Sequence, residues 1–143
     1  MSSIVLPAAP SVRAVFQQDY ILRQIQQLVQ VLEQVLFRKR SDQPEEAQAA
    51  LAEGLERALG MELFALRHLS RDETLALCAP GGPLPGDAAV TLAALLGEDS
   101  SSDGRRRALW LYEWALASGQ AVPFDVHERM ASLRASLEPP LPG

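Results

Sequence analysis

The sequence predicts an all-α fold, a helical array or bundle of about five to seven helices that opens on one long helix. Three observations carry this. Apolar residues recur at spacings of three and four, and no segment sustains the period-two alternation of a half-buried strand. Leucine and alanine dominate while aromatic residues make up 6% of the chain, a balance that favours helices over sheets. Capping residues, prolines and glycines then cut the chain into pieces of helical length. With 143 residues, 48% of them apolar, the chain has the size of one domain and can bury a core. Residues 1–15 read as a frayed leader, 16–138 as a single helical domain and 139–143 as a proline-rich tail.

The first helix is expected over residues 16–38. Ile21, Leu22, Ile25, Leu28, Val29, Leu32, Val35 and Leu36 form one apolar face about half a turn wide. Within it Ile21, Ile25, Leu28, Leu32 and Val35 step by four and three, but for only about two heptads, short of a sustained coiled coil. The opposite face carries Gln17, Gln18, Gln26, Gln27, Gln30 and Gln34 where solvated helices usually carry glutamate and lysine. A neutral face of this kind suits solvent or another chain, and Gln27, Gln30 and Gln34 are its candidate contacts.

A second helix starts at Ser41-Asp42-Gln43-Pro44-Glu45-Glu46, where a capping side chain precedes proline and two acids. Proline lacks an N–H that the first turn would leave unpaired anyway, and the helix dipole favours negative charge there. Ala47, Ala50, Leu51, Leu55, Ala58 and Leu59 face inward, and Gly60 supplies the stop. Gly54 costs the helix about 1 kcal/mol against alanine, which points to the close approach of a neighbouring helix.

Residues 61–69 are expected to form a short helix, and Ser70-Arg71-Asp72-Glu73 a capping box opening another that runs through Cys78. The stretch Pro80-Gly81-Gly82-Pro83-Leu84-Pro85-Gly86 has no helical option. Asp87 then caps an expected helix over 88–96, ended by Gly97. After the polar run 98–104, a helix over 105–118 closes at Gly119. Pro123 begins a last helix carrying Val126, Met130, Leu133 and Leu137, and Pro139-Pro140 ends it.

The helix over 105–118 has Glu113 as its only polar residue between Ala108 and Ala117. Trp110 and Trp114 share one side while Ala108, Tyr112, Ala115 and Leu116 share another. Either this helix is central, or the tryptophan side meets a partner.

Asp103-Gly104-Arg105-Arg106-Arg107-Ala108, with Tyr112, Ala115 and Leu116, resembles the second helix of a tetratricopeptide repeat. In that repeat small residues let paired helices approach and an aromatic fills the groove beside them. Asp42-Gln43-Pro44-Glu45-Glu46-Ala47, with Leu51, Gly54 and Leu55, is similar to the same element, and Leu92 and Leu95 fit first-helix positions. With Asp19-Tyr20-Ile21-Leu22-Arg23 opening the long helix, the chain also resembles an uncharacterised family of small bacterial all-helical proteins with degenerate repeats of this kind. The resemblance implies a tetratricopeptide-like fold and brings no activity with it.

Other function classes fare poorly. The net charge of -5 argues against a general nucleic-acid binder, and Arg38-Lys39-Arg40 at a helix C-terminus needs no ligand. No run approaches a membrane span, and the N-terminal segment lacks the basic start of a secretory signal. Cys78, the sole cysteine, can form no intrachain disulfide, which fits a reducing, cytoplasmic setting. His68 and His127 sit in no metal-binding pattern, and no cofactor motif occurs. Cys78 lies among Leu75, Ala76, Leu77 and Ala79, the setting of a small core residue; a thiol enzyme pairing it with His68 is the alternative.

Arg105, Arg106 and Arg107 stand at the expected start of a helix, where cations are unfavourable. Glu98, Asp99 and Asp103 could neutralise them, or the three could bind a small anion. The expected function is a non-catalytic protein-interaction or self-assembly module, a homodimer meeting through Trp110, Trp114 and the glutamine face. An anion sensor built on the three arginines competes with it.

Overall fold

The computed structural model describes residues 12–138, with side chains from Asp19 onward. Seven α-helices and no strand occur among the described residues. They are α1 (Val12–Arg40), α2 (Pro44–Leu59), α3 (Leu63–Leu66), α4 (Arg71–Ala76), α5 (Ala89–Gly97), α6 (Ser102–Ala117) and α7 (Val126–Leu137), with a 3-10 turn, Gly86–Ala88, leading into α5. The all-α expectation holds. Helix α1 begins before the expected residue 16, so positions 12–15 of the supposed leader are helical. Residues 1–11 and the tail 139–143 lie outside the described residues.

Helices α1 and α2 form a hairpin across a three-residue turn. The turn closes by backbone bonds, from Gln43 N–H to the Arg38 carbonyl at 2.9 Å and from Ser41 N–H to that of Phe37 at 3.0 Å. Asp42 adopts a left-handed φ of 58° there, and Gln43 occupies the cap position without a side-chain bond. The expected capping side chain is therefore not used; Pro44 and the acids Glu45 and Glu46 open the first turn. Gly60, at φ 68°, ends α2 as its sequence predicts. At 1.5 Å per residue α1 is about 44 Å long and α2 about 24 Å, so α2 covers only the C-terminal part of α1.

Helix α6 is central. Helices α4, α5 and α7 all pack against it, and α5 also meets α1. Ala108, Leu111, Tyr112 and Ala115 are buried, joined by Leu92, Leu95 and Leu96 of α5 and Met130 and Leu133 of α7. Leu28, Val31 and Val35 of α1 close the core against Leu51 and Leu55 of α2.

Five of the later helices differ at a boundary from the sequence reading. The helix expected over 61–69 shrinks to Leu63–Leu66, whose two ends are buried while the rest turns towards α4. The α4 capping box forms as predicted, with Ser70 Oγ accepting from Glu73 N–H at 3.0 Å and Glu73 accepting from Ser70 N–H at 3.0 Å, but α4 stops at Ala76. There the chain folds back on itself, Leu84 N–H reaching the Leu77 carbonyl at 3.0 Å. Asp87 lies in the 3-10 turn and makes no capping bond. Helix α6 starts at Ser102, where Ser101 Oγ accepts from Asp103 N–H at 3.2 Å, and α7 starts at Val126 rather than at Pro123.

Gly54 marks the closest approach of α1 and α2. A β-carbon placed on it would lie 2.3 Å from Val31 Cγ1 and 2.6 Å from Cγ2. Valine is stiff at χ1, so Val31 cannot swing aside. Gly54→Ala should lower stability by about 1–3 kcal/mol in urea titrations, against the gain of about 1 kcal/mol that alanine brings to an open helix. Val31→Ala in the same chain should recover part of the loss.

Candidate functional site

The candidate residues fall into three separate places, the start of α6, the tryptophan side of α6 and the glutamine face of α1, and the first of them lies against one buried carboxylate. Asp99 lies within the α5–α6 connection, and its side chain has no solvent exposure. Arg67, just past α3, donates from Nε to Oδ2 at 2.8 Å and from Nη2 to Oδ1 at 2.6 Å. Gln48 of α2 donates to Oδ1 at 2.8 Å, and the Ser101 N–H adds a bond of 3.2 Å. Burial alone would push the Asp99 carboxyl up. The bonds from Arg67, Gln48 and Ser101, with the Arg67 charge, hold it below the usual carboxylate range instead.

The three arginines do not converge. Successive helical residues point about 100° apart, so three in a row fan around the axis. Arg105 Nη1 donates to the carbonyls of Asp99 at 3.2 Å and Ser100 at 3.0 Å. Arg107 is buried: its Nε and Nη2 donate to the Leu69 carbonyl and its Nη1 to that of Asp103 at 2.9 Å. Only Arg106 is exposed, 3.5 Å from the Asp103 carboxylate. Of the three acids expected to neutralise the cluster, Asp103 alone does so by its side chain. Glu98 pairs with Lys39, and Asp99 with Arg67.

Trp110 and Trp114 are both half-buried, so their side of α6 is partly covered within one chain. The Arg107 guanidinium carbon lies 5.0 Å from the centre of the Trp110 ring, a cation–π contact. Trp114 packs against the core and lines an open groove of about 580 Å³. Across from it stand Tyr20, Ile21 and Gln24 of α1, Gln120, and the proline-glycine loop. Gln24 Nε2 donates to the Pro83 carbonyl at 3.2 Å, tying the early part of α1 to that loop. The sequence reading missed Tyr20 and Gln24 as neighbours of Trp114. No local spacing could link positions so far apart in the chain.

Gln27, Gln30 and Gln34 are exposed, as their face predicts. Gln30 and Gln34 border a shallow groove of about 700 Å³ against α2, with Phe37 and Arg38, and do not join the tryptophan groove. The apolar face of α1 needs a correction. Val31, absent from the expected face, is buried, while Leu22 is 55% and Val29 37% exposed. With Tyr20 and Phe37 they make four exposed large apolar side chains on one helix.

Cys78 is buried, as expected of a small core residue, and desolvation pushes its thiol up to about 12. His68 is held by the Phe64 carbonyl, 2.7 Å from Nδ1, and stacks on the Phe64 ring. Among the described residues no three metal-ligating side chains gather, and no helix is long and apolar enough to cross a membrane. No protein-family model, curated protein or solved structure matches the chain.

Two measurements check this arrangement. Because Asp99 titrates lower folded than unfolded, its contribution is fully present above the unfolded value of about 4. It should be lost as pH falls through the folded value. Urea titrations at stepped pH should therefore show stability falling below about pH 4, and Asp99→Asn should flatten that fall while costing about 3–5 kcal/mol at neutral pH. Iodoacetamide should leave Cys78 unmodified in the folded protein at pH 8 and alkylate it once urea unfolds the chain.

Proposed function

We propose that this chain is a non-catalytic protein-interaction module that associates through α1, working in the reducing cytoplasm of a bacterium. The observation that carries the reading is the exposure of Tyr20, Leu22, Val29 and Phe37 on that one helix. Exposed apolar side chains gathered along one element favour contact with another polypeptide. The groove that Tyr20 shares with Trp114 and the proline-glycine loop offers a second surface, on the side of α1 away from Leu22 and Val29.

A tetratricopeptide-like ancestry supports the same reading, since such helix pairs present surfaces to partners. Ala47 lies on the second helix of the α1–α2 pair and Ala108 on α6, after α5. Ala47, Leu51, Gly54 and Leu55, and likewise Ala108, Tyr112 and Ala115, are buried at the positions the repeat pattern assigns. The anion-sensor alternative draws no support from guanidinium groups that point apart onto carbonyl oxygens. A thiol enzyme draws none from a buried, protonated Cys78.

Photo-cross-linking in cells tests the proposal. A benzophenone side chain replacing Tyr20 or Phe37 should join the chain to another polypeptide, its own copy included. The same group at exposed His127 should join few or none. Equal yields at all three positions, or none at any, would overturn the interaction reading.

A further inference from the structure

We propose that α1 carries a two-fold interface with a second copy of this chain, the two α1 helices running antiparallel about Val29. This rests on the interaction reading above and names its partner. Leu22, Val29 and Leu36 recur every seven residues, so they lie in one line along α1. The line spans about 21 Å at 1.5 Å per residue and sits about a quarter turn from Leu28 and Val35, which face the core. Leu22 and Val29 are exposed and Leu36 is half-buried. Beside Leu36 the open space between α1 and α7, about 480 Å³, is bordered by Ala94 and Gly97 on α5 and by Glu128 and Arg129 on α7.

Charge selects both the occupant and its direction. Asp19, Gln26, Glu33 and Arg40 flank the apolar line on its outer side, and all four are exposed. In a parallel two-fold pair this flank would fall on opposite sides of the seam in the two copies, and Asp19, Glu33 and Arg40 would meet none of one another. The antiparallel pair sets Asp19 against Arg40 of the second copy and Glu33 against its Gln26, while Leu22 meets Leu36 and Val29 meets Val29. The line is thus complementary to itself only when reversed, which is what a closed two-fold interface requires. No other partner is needed to match it.

Sedimentation velocity at micromolar concentration tests the proposal. The wild-type chain should be a dimer. Val29→Glu, and independently Leu22→Gln, should give monomers with melting temperatures within a few degrees of wild type, because both sites are exposed in the single chain. Asp19→Arg and Arg40→Asp should each weaken the dimer roughly three- to tenfold, and the double exchange should restore it. A monomeric wild type would overturn the proposal, as would a dimer indifferent to Val29→Glu. A double exchange that fails to restore affinity would overturn the antiparallel arrangement. A chain that dimerises only after removal of residues 1–11 would show that segment on the apolar line and would also overturn it. Cross-links from Tyr20 or Phe37 to a different protein, with a monomeric chain, would end this inference and leave the interaction reading standing.

Discussion

Burying the carboxylate of Asp99 is the constraint around which this fold is arranged. An ionised carboxylate taken out of water costs several kcal/mol unless charge and hydrogen bonds replace its hydration. Here the replacements come from separated parts of the chain: Arg67 after α3, Gln48 of α2 and the Ser101 N–H at the start of α6. Satisfying one side chain therefore fixes the relative positions of the α1–α2 hairpin, α3 and the α5–α6 pair. Gly104 belongs to the same constraint. A β-carbon there would fall 2.0 Å from Asp99 Oδ2, so the first turn of α6 can close over the carboxylate only as glycine. The Gln48 side chain is used twice, donating to Asp99 and accepting from Ser100 N–H at 3.1 Å.

That arrangement accounts for the placement of three arginines early in a helix. Cations near an N-terminus oppose the dipole, and the cost falls when they serve carbonyl oxygens that no helix satisfies. Arg105 binds the Asp99 and Ser100 carbonyls of the preceding connection, and Arg107 binds the Leu69 carbonyl before α4. The Asp99 and Leu69 carbonyls are loop oxygens in partly buried positions, where an unpaired oxygen would be unfavourable. Arg107 then lends the other side of its guanidinium to Trp110. A cluster that reads as an anion site is thereby a set of separate structural contacts.

What could be read from the sequence follows from how far each signal reaches. Apolar spacing and the stops at Gly60 and Gly119 are local, and they located the helices to within a few residues. The Ser70–Glu73 capping box is equally local and formed as read. Gly54 was legible too, because a mid-helix glycine needs a reason and close approach to Val31 supplies it. The bond from Asp99 to Arg67 was not legible, since it spans 32 residues with no shared motif. Nor was the division of the α1 apolar face. Period alone cannot tell which part of a half-turn of leucine, isoleucine and valine the other helices will reach. Helix α2 is too short to follow α1 over its length, and α5 meets only one side of it, so Leu28, Val31 and Val35 are covered while Leu22 and Val29 are not.

The same geometry bears on how well α1 could serve as a binding surface. A helix that must order on association loses conformational entropy, and affinity suffers accordingly. The described part of α1 is held at both ends of its apolar line. Near the start, Gln24 reaches the Pro83 carbonyl. Near the end, Lys39 donates to both the carbonyl and the carboxylate of Glu98, beside the Asp99 junction. Between these ties Leu28, Val31 and Val35 anchor the inner face. Leu22 and Val29 are consequently presented on a backbone whose position is already set by the core. The buried carboxylate and the exposed leucine are linked in this sense: the first fixes the framework on which the second is displayed.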